Sequence, residues 1–355
     1  MRLSHYLPGQ RRRDMAVDLG TANTVVYVRH EGIILFEPSV IAIDETTGTV
    51  QAVGDEARRM IGRTPGSIRA TRPLRHGVIA DFEVTEQMLR RFLAKADGHR
   101  GIHRQVVLCV PSGITDVEER AVKEAALTAG AREADVIEEP MAGAIGAGLP
   151  IAEPGGNMVV DIGGGTTEVA VISLGGMVVS RSLRVGGYEM DEAIVRYVRD
   201  HRKVLIGQER AEDLKIELGS AVDIDGLPDA EVSGRDLISG GLTRVTVTAT
   251  ETREALERPI GQIVDTVKEA LEATPPELAA DIMNRGIVLL GGGSLLRGLD
   301  ELMRIETNLP VYVADSPLTC VATGAGQSLE ELPVIRRAPR RQRLQSQRQR
   351  WRRRG

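Results

Sequence analysis

Two aspartates occupy matching points of one short pattern. Met15-Ala-Val-Asp18-Leu-Gly20-Thr21-Ala22-Asn23-Thr24 returns, altered, as Met158-Val-Val-Asp161-Ile-Gly163-Gly164-Gly165-Thr166-Thr167. Aligned without gaps, the copies share Met, Val, Asp, Gly and Thr, so the chain reads as two related halves. In each copy an apolar run delivers a carboxylate and then breaks into residues whose backbone turns sharply and can aim N–H groups at an anion. Two such loops facing each other would grip a polyphosphate. A third glycine turn, Gly291-Gly292-Gly293-Ser294, follows the apolar run Gly286-Ile-Val-Leu-Leu290 and precedes an expected helix from Leu295.

One Asp-x-Gly turn at a strand end is an ordinary hairpin; three ordered glycine turns carry more. Their sequence in the chain resembles the actin, sugar-kinase and heat-shock chaperone ATPase superfamily. None is a Walker loop, because no Gly precedes a Lys-Ser or Lys-Thr pair at the required spacing.

The elements that must hold these residues alternate between strand and helix. Met15 to Asp18 predicts a strand, Thr24 to Val28 its antiparallel neighbour, and Ser39 to Ile43 another strand. Met88, Leu89, Phe92 and Leu93 at helical spacing predict a helix from Thr85, its cap, to Ala96. Val106 to Val110 reads as a buried strand stopped by Pro111, with Cys109 as inert packing, and Asp116 to Ala129 as a helix ended by Gly130. Asp135 to Ile137 predicts a strand running into Glu138-Glu139-Pro140, where Pro140 suits the first turn of a small-residue helix to Gly148. Glu139 therefore stands at a strand-to-helix joint. By spacing alone it is equally well read as an exposed cap, since acids favour helix N-termini.

Glu153-Pro-Gly-Gly156 is the expected linker. Beyond it, Asp191 to Arg202 and Glu209 to Leu218 predict helices, Val245 to Thr248 a strand, and Thr252 to Ala273 a long helix broken near Pro259 and ended by Pro275-Pro276. The fold class is α/β, with layers in each half.

Composition agrees. With 355 residues, two domains are the default. Hydrophobic residues at 42% and charged residues at 27% suit a globular protein, and no apolar run is long enough to span a bilayer. Met1 to Pro8 lacks the apolar core of a signal peptide, and the two cysteines suit a reduced cytoplasm. Charge is uneven. Ten arginines and no acid lie between Arg336 and Gly355, so the remaining chain carries -15 against -5 overall. That composition predicts a disordered tail able to meet anionic lipid or nucleic acid, with Trp351 among its charges.

Longer motifs narrow the resemblance. Asp18 to Thr24, Glu37-Pro-Ser-Val-Ile-Ala-Ile-Asp44, Gly113 to Glu118, Ile137 to Met141, Asp161 to Glu168 and Leu290 to Gly298 together resemble MreB/Mbl, the bacterial actin homologues. The likeness runs from about Met15 to Leu332. It implies an actin-like ATPase fold: two lobes, each with a ribonuclease-H-like α/β core, forming four subdomains around a nucleotide cleft. The expected division is 14–153 with a small subdomain near 41–73, then 154–317 with one near 190–245. Residues 318–335 would return to the first lobe, and 336–355 form the arginine-rich tail.

The resemblance also implies roles. Asp18 and Asp161 would hold Mg2+, mostly through water, and a carboxylate ending an apolar strand is costly without such a partner. Gly20, Thr21, Ala22, Asn23 and Thr24, with Gly163, Gly164, Gly165 and Thr166, would cradle the phosphates of ATP. Glu139 and Thr166 match the pair that positions the attacking water in a slow ATPase. Glu212, Asp213, Leu214 and Lys215, with Gly291, Gly292, Gly293 and Ser294, would line the adenosine pocket. Taken alone, Glu212 and Lys215 look like a solvated helix face.

As partners the family implies further copies of the chain in double protofilaments, with a lateral contact near Val117, the inner membrane, and cell-wall synthesis proteins. The membrane elements depart from the family pattern. The loop Asp97-Gly-His-Arg-Gly-Ile-His-Arg104 offers only Ile102 as a large apolar residue, and Leu3, Tyr6 and Leu7 stop at Pro8. Electrostatic attachment through the arginine tail is the expected substitute, with nucleic acid as its rival ligand. A heat-shock chaperone would need a substrate-binding domain after the lobes. A sugar kinase would need a separate carboxylate base. A non-polymerising nucleotide switch is the remaining alternative.

Overall fold

The computed structural model describes residues 13–98 and 105–335. The expectations for the first residues, for Ile102 and its loop, and for the arginine tail lie outside the described residues. Two five-stranded sheets dominate, and they share one topology. In the first, strand Met15–Leu19 is central, antiparallel to Asn23–Val28 and parallel to Gln105–Val110. In the second, Asn157–Ile162 is central, antiparallel to Thr167–Ser173 and parallel to Ile287–Leu290. The repeat in sequence is thus a repeat in strand order.

Strand periodicity decides where the aspartates point. Met15, Val17 and Leu19 pack into one core with Met88, Leu89, Phe92 and Leu93 of the helix Phe82–Asp97, which covers the outer face. Ala16 faces the other way, so Asp18, two residues on, lies on that inner face as well. Met158, Val160 and Ile162 enter the outer core of the second sheet, while Val159 packs inward. Asp161 follows Val159. Both carboxylates therefore stand on faces turned toward the space between the sheets.

Two helices fill that space. Glu139–Gly146 lays Ala144 against Val159, Ala170 and Ile172 of the second sheet, and Cys320–Ile335 lays Val321, Ala325 and Leu329 against Ala16 and Val107 of the first. They cross at bare backbone. A Cβ at Gly324 would lie 1.8 Å from the Ala142 carbonyl oxygen, and one at Gly146 would lie 1.9 Å from that of Cys320. Cys109 is buried on this inner face, as packing requires.

Several boundaries differ from the sequence expectation. The helix expected at Thr85 begins at Phe82, because Asp81 is extended and its carboxylate accepts the Val84 N–H at 3.1 Å. Thr85 is buried and donates its hydroxyl to the Asp81 carbonyl. The helix around Pro259 is continuous from Ala249 to Glu272; Leu256, Pro259, Ile260 and Ile263 are all buried, and that packing offsets the lost backbone bond. Gly292–Leu295 forms a 3-10 turn, and the helix after it starts only at Leu299. Ser39 and Val40 separate strands Gly32–Pro38 and Ile41–Asp44.

The glycine crossing yields a pair of opposed predictions. Gly324→Ala forces the two helices apart and should lower unfolding free energy by about 2 kcal/mol. Gly261→Ala, inside the helix Ala249–Glu272 with nothing within 4 Å of the added carbon, should raise it by roughly 0.5 to 1 kcal/mol. Urea unfolding of both variants checks the signs; equal effects would contradict the crossing geometry.

Candidate functional site

The first glycine turn is tied down by its neighbours. Ser39 donates its hydroxyl to the Gly20 carbonyl at 2.6 Å and its N–H to the Ala22 carbonyl at 2.9 Å. Thr24 shares a 2.8 Å hydroxyl contact with Ser39 and is buried, so it braces the turn from behind. Thr21 Oγ1 accepts the Gly77 N–H at 2.9 Å. The second turn closes on itself, with Gly163 N–H donating to the Thr166 carbonyl at 2.8 Å. Its other carbonyls are also used: Gly187 N–H donates to Gly163 at 3.0 Å and Tyr188 N–H to Gly164 at 2.8 Å.

The turns meet across the gap between the sheets. A Cβ at Gly164 would come within 2.5 Å of the Ala22 side chain, so only glycine permits this approach. A chamber of about 90 Å3 is lined by Asp18, Asp161 and Glu139, by Gly20 to Asn23, by Gly163 to Thr166, by Gly291 and Gly292, and by apolar residues that include Val25 and Phe36. A larger cavity of about 450 Å3 shares Ala22, Gly163, Gly164, Gly292 and Leu318 with it and has a more apolar wall of Tyr188, Met190, Ile216, Leu295 and Leu296. Glu212, Lys215, Gly292 and Gly293 line that cavity too. The sizes suit a small charged group beside a nucleoside-sized body.

Some expected site residues stand elsewhere. Leu214 is fully buried in the second core, one helical step off the cavity face, and Asp213 points outward toward Arg210 at 3.7 Å. Ser294 donates its hydroxyl back to the Gly291 carbonyl at 2.6 Å. The N–H groups of Gly163 and Gly291 serve Thr166 and Pro317, so these glycines shape the turns and do not present free donors. Lys215 pairs with Asp191 at 2.7 Å, and Glu212 with Arg58 of the first half at 2.9 Å.

Four carboxylates share the inner space, and all are held toward their protonated forms. Loss of hydration pushes Asp18 up to about 7, with the charge of Asp161 adding to the effect, and pushes Asp161 up to about 6. Glu139 lies well above the usual range, first through desolvation and then through Asp18, Glu168 and Asp161. Burial likewise raises Glu168 to about 7, although hydrogen bonds from Ser182 and Ser112 oppose the shift. Among the described residues, no cationic side chain contributes to the shifts of Asp18, Asp161 or Glu139.

The donor chemistry, two hard carboxylates, is of the kind a hydrated Mg2+ takes. Two hard oxygen donors flank the chamber, and among the described residues no three His, Cys, Asp or Glu side chains converge as a ligand set. A cation that keeps most of its water needs no more than those two. Glycine turns closed to any side chain fit an anion drawn up against them.

A profile of the MreB/Mbl protein family matches residues 12–337. The chain belongs to the MreB/Mbl family. It is 53% identical over 332 residues to the cell shape-determining protein MreB of Escherichia coli strain K12, covering 92% of this chain and 96% of that protein. The cell shape-determining protein Mbl of Bacillus subtilis strain 168 is 48% identical over 325 residues, covering 91% and 97%. The crystal structure of MreB5 of Spiroplasma citri bound to ADP superposes with a TM-score of 0.87 at 38% identity, covering 92% of this chain and 99% of that one. The fold is actin-like, and this MreB/Mbl protein is a homologue of cell shape-determining proteins.

Glu168 was not singled out by sequence reasoning. The signal lay one step beyond the repeat: opposite Asp18 in the first sheet stands Val25, while opposite Asp161 in the second stands Glu168.

Its raised pKa gives a pH prediction. Folded Glu168 keeps its proton up to about 7, whereas an ordinary Glu ionises near 4.5, so the folded state binds more protons between these values. Stability falls as pH rises through that window. Metal-free Glu168→Gln, which has no charge to bury, should gain on the unaltered protein by about 3 kcal/mol from about pH 4.5 to about pH 8. Urea midpoints in the presence of a chelator measure this, and a pH-independent difference would contradict the assignment.

Proposed function

We propose that this protein binds ATP with Mg2+ between its two lobes, hydrolyses it slowly, and polymerises into membrane-associated filaments that organise cell-wall synthesis. The observation that carries the reading is the pair of inner-face aspartates, each followed by a glycine turn, with the turns touching at Ala22 and Gly164. A relative with the same fold is bound to ADP. In this reading residues 14–153 and 154–317 are the lobes, with small subdomains near 41–73 and 190–245. Residues 318–335 rejoin the first lobe.

Asp18 and Asp161 would hold Mg2+, mainly through its water shell, and the metal would neutralise charge on the β- and γ-phosphates. The turns Gly20 to Thr24 and Gly163 to Thr166 bound the phosphates, and the apolar wall by Leu295 and Leu296 receives the adenosine beside Glu212 and Lys215. Lost hydration is the main reason Glu139 holds its proton, and a cation held by Asp18 and Asp161 would relieve the smaller share that comes from their charges. Once ionised, its carboxylate would accept a hydrogen bond from the attacking water, and Thr166 would align that water from the opposite lobe.

Self-assembly draws on an exposed helix. Val117, on the helix Asp116–Thr128, is 66% exposed although apolar. A two-fold lateral pairing would bring it against its own counterpart. Among the described residues no helix is long and apolar enough to cross a membrane. Attachment to the inner membrane surface is assigned to the ten arginines after Ile335, each contributing about 1 kcal/mol near anionic lipid. The location is then cytoplasmic and peripheral.

Two outcomes follow. Asp161→Ala should stay folded, because it relieves repulsion, yet lose Mg2+-dependent ATP affinity by about tenfold or more. Unchanged affinity by calorimetric titration would sink the metal assignment. Val117→Glu should bind ATP normally and give single filaments or none under the electron microscope; unaltered double filaments would refute the lateral contact.

A further inference from the structure

The two members of the proposed water-positioning pair come from different sheets. Glu139 follows Glu138, which ends a strand paired with Gln105–Val110 in the register Glu138 with Val110. Thr166 closes the turn leading into Thr167–Ser173. Their spacing therefore depends on how the first sheet's strand ends are fixed against the second sheet.

Glu168 makes that connection. It is 1% exposed, and its Oε2 accepts the Ser112 N–H at 3.1 Å, two residues beyond the end of Gln105–Val110. Its Oε1 accepts the Ser182 hydroxyl at 2.6 Å from the neighbouring strand Gly176–Leu183. In the antiparallel register it stands opposite Asp161, so its side chain shares the inner face, yet it does not line the chamber. The equivalent place in the first sheet holds the buried apolar Val25. A buried Glu in one copy of the repeat carries a desolvation cost that packing alone does not require.

We propose that Glu168 is a positioning residue for hydrolysis, which fixes Glu139 and Thr166 across the cleft by holding Ser112 and Ser182, and does not itself touch the nucleotide. The inference rests on the reading that Glu139 and Thr166 position the attacking water. Reach, and not charge, is what the role needs. The carbonyl oxygen of a glutamine can accept the Ser112 N–H, and the Ser182 hydroxyl can turn to accept from its amide. An aspartate keeps the charge but falls short by one carbon–carbon bond, about 1.5 Å. A misplacement of that order costs up to about a hundredfold in rate.

The experiment compares Glu168→Gln, Glu168→Asp and Glu168→Ala with Glu139→Ala, all in the full-length chain. Single-turnover phosphate release from Mg-ATP and equilibrium Mg-ATP affinity are measured together. Glu168→Gln should release phosphate within about threefold of the unaltered protein, and Glu168→Asp about tenfold or more slowly, with affinities of both within about threefold. Glu168→Ala should match the aspartate variant if it folds, and the glutamine and aspartate pair decides the matter if it does not. An aspartate variant as fast as the glutamine variant, or a glutamine variant as slow as the aspartate, overturns the proposal. If Glu139→Ala releases phosphate at the unaltered rate, the water-positioning reading falls and this inference with it. If Glu139→Ala is slow while every Glu168 variant is unaffected, only the inference falls.

Discussion

Carboxylates that share one inner space, with no cationic side chain among the described residues to offset them, are the constraint on which this structure turns. Asp18, Asp161 and Glu139 line one chamber, and each is held toward its protonated form by lost hydration and, for Asp18 and Glu139, by the other acids. An isolated buried carboxylate is costly, and adding like charges makes it more so. A divalent cation entering with an anion would offset that cost, which is the role proposed for Mg-ATP. The glycine turns line the same chamber as the acids, and the more apolar cavity shares part of that lining.

That confrontation is produced by simple means. A two-residue strand period places Asp18 behind Ala16 and Asp161 behind Val159, each on the inner face of its sheet. The distance between the faces is then set by the helices Glu139–Gly146 and Cys320–Ile335, which approach backbone to backbone at Gly146 and Gly324. One of these helices also begins with Glu139, so the element that spaces the sheets delivers a further acid to the chamber. Packing and chemistry are thereby coupled: a side chain added at the crossing would move the carboxylates apart. The Glu168 contact to Ser112 ties the same two sheets at the strand ends.

The repeated Asp-Gly pattern made much of this legible. Apolar runs ending in Asp gave both central strands, and Pro140 gave the joint at Glu139, because these signals are local. Thr85 misled as a cap because Asp81, four residues earlier, already supplies the acceptor and buries the threonine. Pro259 misled because burial of its neighbours outweighs one missing backbone bond. Leu214 and Asp213 were grouped with Glu212 and Lys215 by motif, although helical periodicity turns them to other faces. Glu168 needed the strand register, which pairs residues across a turn and is not written in any one segment. Which N–H groups remain free in the glycine turns is likewise a tertiary property, fixed by partners such as Pro317.

If the facing carboxylates exist to receive a metal–nucleotide pair, binding must expel the protons they hold. Calorimetric titration of preformed Mg-ATP into nucleotide-free protein at about pH 6.5, in two buffers of different ionisation enthalpy, reads that release directly. With Asp18 held near 7 and Glu139 well above its usual range, release of about one proton or more is expected. The release should shrink when Asp18 is replaced by Asn. Binding heats that do not depend on the buffer would mean that Mg-ATP binds without discharging the carboxylates, and would contradict the account.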